Sequence, residues 1–139
     1  MKMYCVVARD SLKAMNGNRG KLAAQAGHAY LHAYWDAQDR AGVSLACDRD
    51  GEYETRNDYY KNVVVPYRNS GRATKVCLIV ETVDDLKALH EFYKPICGVS
   101  LVTDAGLTCF DGPTTTCLGI GPISEDKVDV NLSSLKVLI

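Results

Sequence analysis

Lys21 and Asp104 are the two residues whose surroundings suit them for chemistry. Lys21 stands in GKLAAQAGHA, residues 20–29, which reads as the start of a helix. Asp104 stands in DAGLT, residues 104–108, at the tip of what reads as a strand, and after seven more residues comes TCLGIGP, residues 116–122. A lysine in the first turn of a helix faces the positive end of the helix dipole, a placement that a shared anion explains. An aspartate within about 4 Å of that lysine is held ionised and oriented, able to position a water for attack on an ester. Thr108 and Thr116 supply hydroxyls that can steady the water or the oxyanion of a tetrahedral intermediate. Taken singly, each residue also has an ordinary role: Lys21 as a solvated side chain, Asp104 as a cap for its own turn. The chemistry that the set points to is ester hydrolysis, with the identity of the general base open.

These residues need a helix and a strand to carry them. A helix from about residues 18–20 to residue 40 places Leu22, Ala26, Ala29 and Ala33 on one stripe. Lys21, Gln25, His28 and His32 fall on another. Alanines and Gly27 let the helix lie close to a sheet, so the polar stripe lines an edge or cleft. His28 and His32 lack a third ligand of clear spacing and any HExxH context, so no metal is expected. There is no GxSxG elbow, and GNRGK is too short for a phosphate loop and lacks its Ser or Thr.

The rest of the chain alternates strands and helices. Residues 3–8, 75–81, 98–104 and 114–120 read as strands, with 75–81 apolar enough for burial on both faces, and 134–139 as a last strand or extended tail. Polar residues 9–20 read as a loop. Thr82 and Asp85 form a capping box for a helix whose face is Val83, Leu86, Leu89 and Tyr93, and SEDKVD makes a short helix. Residues 41–74 read as a polar excursion in which VVVP is a short strand or loop, with one helical turn near Tyr59. The pattern predicts one domain over 1–139, a three-layer α/β/α arrangement around a small mixed, largely parallel sheet. In such folds the ligand site lies beyond the carboxyl ends of the strands.

Composition narrows the setting. No apolar run approaches the roughly 18 residues of a membrane span, and MKMYCVVARD reads as a strand instead of a signal peptide, so a cytoplasmic protein is the expectation. The six cysteines contain no CxxC pair and sit mostly in apolar stretches, as reduced, buried thiols do. Net charge is −1, but residues 1–35 carry five Lys or Arg against one acid and residues 81–139 carry four against nine. A basic N-terminal third suits an anionic partner.

Blocks 20–29, 104–108 and 116–122 together resemble the archaeal and eukaryotic (type II) peptidyl-tRNA hydrolases, whose hallmarks are GKxAAQxxHA, DAGxTQ and TxLGIGP. The likeness covers nearly the whole chain outside about 41–74. It implies an α/β/α domain, hydrolysis of the ester joining a peptide to the 3′ ribose of tRNA, and no metal or organic cofactor. It implies catalytic roles for Lys21, Asp104, Thr108 and Thr116, and tRNA contact by Arg19, Gly20, Gln25 and His28. The expected partner is therefore peptidyl-tRNA, with no membrane or DNA, and a homodimer is possible for a small domain with apolar strands. The chain departs from the pattern at Leu107 and Cys109, where the family usually has arginine and glutamine, and at Gly112-Pro113, where it has Pro-Gly. Lost donors at the site edge leave two alternatives: a catalytically weak tRNA-binding module, or a deacylase for misacylated or D-aminoacyl-tRNA.

Overall fold

The computed structural model describes residues 1–40, 58–104 and 114–139. Five strands, β1 (Lys2–Ala8), β2 (Lys75–Val80), β3 (Val99–Asp104), β4 (Thr114–Ile123) and β5 (Lys136–Val137), form one sheet in the order β3-β4-β1-β2-β5. β1 is central because its run from Met3 to Ala8 is buried throughout. The sheet is mixed, but it is not largely parallel. Only β1 and β2 pair in parallel; β1–β4, β3–β4 and β2–β5 are antiparallel. β1, β2 and β3 do run the same way, but β4 returns between β1 and β3 and takes both of their edges.

Helices cover both faces. On one side lie α1 (Arg9–Ala14) and α2 (Arg19–Arg40), and a π-helical turn, Tyr60–Val64, continues into α3 (Val65–Asn69). On the other lie α4 (Val83–Tyr93) and, after a 3-10 turn at Glu125–Lys127, α5 (Val130–Ser133). Strand alternation sorts the core. Cys5 and Val7 pack with Ala29 under α2, and Met3 packs with Ala33 and Tyr67. Tyr4, Val6 and Ala8 face Leu86, Leu89 and Tyr93 of α4. The Thr82–Asp85 capping box is present, and α4 ends at Tyr93, short of Pro95.

α2 lies unusually close to the sheet. Its buried line is Gln25, Ala29, Ala33 and Ala37, and it meets glycines. A methyl on Gly119 would strike the Ala29 carbonyl and come within 2.9 Å of the Ala33 Cβ. One on Gly98 would come within 2.7 Å of the Ala37 Cβ. Small residues on both surfaces therefore set the height of the helix.

Three local expectations give way to tertiary packing. Residues 9–14 are helical, and the buried Ser11 hydroxyl donates to the Thr115 carbonyl at 2.9 Å, tying α1 to β4. VVVP is neither strand nor loop: it is helical, with Pro66 at the point where the π-helical turn passes into α3. Tyr60, Val64 and Tyr67 are buried there at helical spacing, so residues 60–67 pack into the body of the protein. β2 is not buried on both faces: Leu78 and Val80 are buried in the core on the α4 side, whereas Cys77 and Ile79 on the opposite face are only half-buried. Cys5, Cys97 and Cys117 are buried free thiols and Cys77 is half-buried; Cys47 and Cys109 lie outside the described residues.

Candidate functional site

Lys21 and Asp104 meet in space. Lys21 Nζ lies 2.5 Å from Asp104 Oδ2, with the two side chains 17% and 8% exposed. β1 and β3 run in the same direction, so the chain that leaves β1 toward α2 and the Asp104 tip of β3 share the carboxyl end of the sheet. Asn18 fixes the start of α2: its carbonyl accepts from the Leu22 N–H at 3.1 Å and its side chain from the Lys21 N–H at 2.9 Å. That N-cap satisfies a donor that would otherwise be orphaned and sets the angle at which the lysine leaves the helix.

Behind the pair is a buried polar chain. Gln25 Nε2 donates to Asp104 Oδ2 at 3.1 Å, and Gln25 Oε1 accepts from the Thr116 hydroxyl at 2.8 Å. The two ends of one amide thus face a carboxylate and a hydroxyl, which defines its orientation. Thr116 and its neighbour Cys117 both address Gln25, the thiol reaching the Gln25 carbonyl at 3.4 Å. Adjacent strand residues normally point to opposite faces. Here the register shifts between Val102, paired with Cys117, and Thr103, paired with Thr115, so Thr116 is the extra residue of a β-bulge. The bulge turns Thr116 to the α2 side.

Gln25, expected at the tRNA, is 5% exposed and lies behind Asp104 with both ends of its amide engaged. Thr116, expected at the water or carbonyl, is fully buried, and the nearest acceptor of its hydroxyl is Gln25 Oε1. Arg19, Gly20 and His28 are exposed, as contact residues must be. Thr108, Leu107 and Cys109 lie outside the described residues. The inward role of Gln25 had a signal in the sequence: it heads the i+4 line that continues through Ala29, Ala33 and Ala37.

A cleft of about 530 Å³ runs beside the start of α2, lined by Leu12, Met15, Asn18, Arg19, Leu22 and Leu138 among others. Neither it nor a larger one of about 600 Å³, bounded by Arg9, Glu81, Leu89, Phe92 and Leu135, is lined by Lys21 or Asp104. Among the described residues, no group of three His, Cys, Asp or Glu is arranged to hold a metal. No helix among them is long and apolar enough to cross a membrane.

Known proteins are similar to this chain along its whole length. The chain is 34% identical over 139 residues to a peptidyl-tRNA hydrolase of Methanopyrus kandleri, covering 99% of each. It is 30% identical over 135 residues to a peptidyl-tRNA hydrolase of Methanothermobacter thermautotrophicus, covering 96% of each. It is also 30% identical over 142 residues to one of Methanococcus vannielii, covering 99% of this chain and all of the other. The family described as peptidyl-tRNA hydrolase PTH2 matches residues 1–138, and the chain belongs to that family.

Proposed function

We propose that the Lys21–Asp104 pair is where this peptidyl-tRNA hydrolase cleaves the ester between a peptide and the 3′ ribose of tRNA. The observation that supports the assignment is their 2.5 Å contact: among the described ion pairs it is the one with both side chains under one-fifth exposed. Asp104 orients a water and takes its proton as the water attacks the ester carbonyl. An ammonium has three N–H donors, so Lys21 can hold Asp104 and still meet the carbonyl oxygen as it gains charge. The tetrahedral intermediate collapses, the C–O bond to the ribose breaks, and the ribose oxygen leaves with the proton that Asp104 took from the water, which restores the carboxylate. Gln25 and Thr116 act as positioning residues through Asp104. Thr108 is the proposed hydroxyl donor to the carbonyl or the water, and Arg19, Gly20 and His28 contact the RNA.

Hydrolysis of N-acetyl-aminoacyl-tRNA tests the assignment. Lys21→Ala and Asp104→Asn each lower kcat/KM on the order of a hundredfold or more with the fold retained. Full activity in both folded variants ends it. A chelator leaves the rate unchanged, and free aminoacyl-tRNA run in parallel separates this substrate from that of a deacylase. The proposal extends to one working domain over 1–139, a cytosolic location beside the ribosomes that make the substrate, and a homodimer. Sedimentation of the purified chain at micromolar concentration decides the last.

A further inference from the structure

The face of α2 that carries Lys21 continues outward as a ladder of exposed rings. His28, His32 and Trp35 follow Lys21 by seven, eleven and fourteen residues, which at 3.6 residues per turn keeps all four on one face. The His28 and His32 rings lie 5.5 Å apart, and His32 stacks on Trp35 at 5.3 Å with 19° between the planes. Trp35 is 50% exposed and Leu31 beside it 45%. Single exposed apolar residues are unremarkable. A row of three exposed rings on a rigid helix, His28 tilted at 38° to His32 and His32 stacked on Trp35, in line with an ester-cleaving pair, is a surface with flat faces to offer.

We propose that His28, His32 and Trp35 form a stacking platform for the unpaired nucleotides at the 3′ end of the tRNA. The idea rests on the assignment of the Lys21–Asp104 pair as the reacting site. The scissile ester is on the terminal ribose, so the bases behind it are splayed, unpaired and within reach of whatever flanks that site. With a rise of about 1.5 Å per residue, the platform begins roughly 10 Å from Lys21 and ends roughly 21 Å away, the reach of a few nucleotides. Every base has a π-face, so aromatic stacking binds single strands without regard to sequence, as an enzyme that serves many tRNAs requires. Arg19 and Lys21 supply cations for phosphates at the reacting end. Beyond Trp35 come Asp36, already paired with Arg40 at 2.7 Å, and the exposed Asp39, where a phosphate chain finds no attraction.

Trp35 is the only tryptophan of the chain, so its fluorescence reports on the platform alone. The full-length protein is titrated with an RNA hairpin that ends in an unpaired ACCA and with the same hairpin cut flush. The tailed hairpin quenches Trp35 saturably and the flush one does not. Trp35→Ala weakens the tailed hairpin and raises KM for N-acetyl-aminoacyl-tRNA by roughly tenfold or more, with the loss carried by KM instead of kcat, and Trp35→Phe restores most of it. Equal affinity of wild type and Trp35→Ala for the tailed hairpin overturns the proposal. So does self-association that Trp35→Ala abolishes while RNA affinity stays intact, since the face would then serve a second protein. Asp104→Asn separates the two ideas. Quenching with chemistry abolished supports the platform, whereas turnover that ignores Trp35→Ala leaves the reacting site standing and removes the platform.

Discussion

Gln25 is the side chain through which the core reaches the Lys21–Asp104 pair. Its Nε2 shares Asp104 Oδ2 with the Lys21 ammonium, and its Oε1 is held by Thr116. Gln25→Leu removes both bonds and leaves the buried Thr116 hydroxyl only the Val102 carbonyl at 3.3 Å and the Cys117 sulfur at 3.7 Å. We expect kcat to fall about tenfold, or about 1.4 kcal/mol, with little change in KM, in single-turnover and steady-state assays. Gln25→Glu is the sharper variant. It sets a second carboxylate against Asp104, and like charges raise one carboxyl pKa, so the acid limb of the pH–rate profile moves to higher pH. A merely structural glutamine would change melting without moving that limb.

At the scale of elements, the height of α2 above the sheet decides where Lys21 arrives. Gly119→Ala places a methyl into the Ala29 backbone, and backbone cannot yield as a flexible side chain can. Overpacking of this kind costs about 1–3 kcal/mol, so the variant should melt several degrees lower and lose activity even where it remains folded. Gly27 lies on the outer face of the same helix, where an added methyl meets nothing within 4 Å. Gly27→Ala should instead stabilise by up to about 1 kcal/mol, because alanine has less backbone freedom to lose in a helix interior. Thermal melts of the two variants side by side check both. Equal effects would mean that the α2–sheet approach is looser than the contacts show.

Across the whole molecule, packing has buried acids that titrate only at high pH. Burial pushes the Cys97 thiol up to about 12 and, with the Tyr34 phenol beside it, the Tyr67 phenol also up to about 12. Desolvation raises Tyr30, Tyr59 and Tyr93 as well. In the unfolded chain these groups ionise near their ordinary values of 9.0 for cysteine and 10.0 for tyrosine. Above that range the unfolded state holds fewer protons than the folded one, so stability falls as pH rises. Below it both states are protonated and these groups contribute no slope. Melting temperature should decline from about pH 9 upward, steepening past about pH 10. A flat profile to pH 11 would show that these side chains are wetter than their packing implies.

The sequence by itself determined much of this protein. Alternation and helical spacing located β1, α2, α4 and β3, and the Thr82–Asp85 box marked its helix start. The types and positions of Lys21 and Asp104 named a pair worth bringing together. Each of these signals is local, a periodicity or a cap that the chain carries wherever it folds. What only the tertiary structure decided involves partners distant in sequence. The insertion of β4 between β1 and β3 made the sheet mostly antiparallel. Burial under neighbouring elements made helix of residues 9–14 and of VVVP. One extra residue in a strand turned Thr116 inward, and Gln25, which shares a stripe with exposed histidines, closed on Asp104 because the helix lies against glycines. The i+4 line of alanines marks the side of α2 on which Gln25 lies, but what it meets there is settled by the surface packed against it, and here that surface is assembled from residues 79 and 91 positions further along the chain.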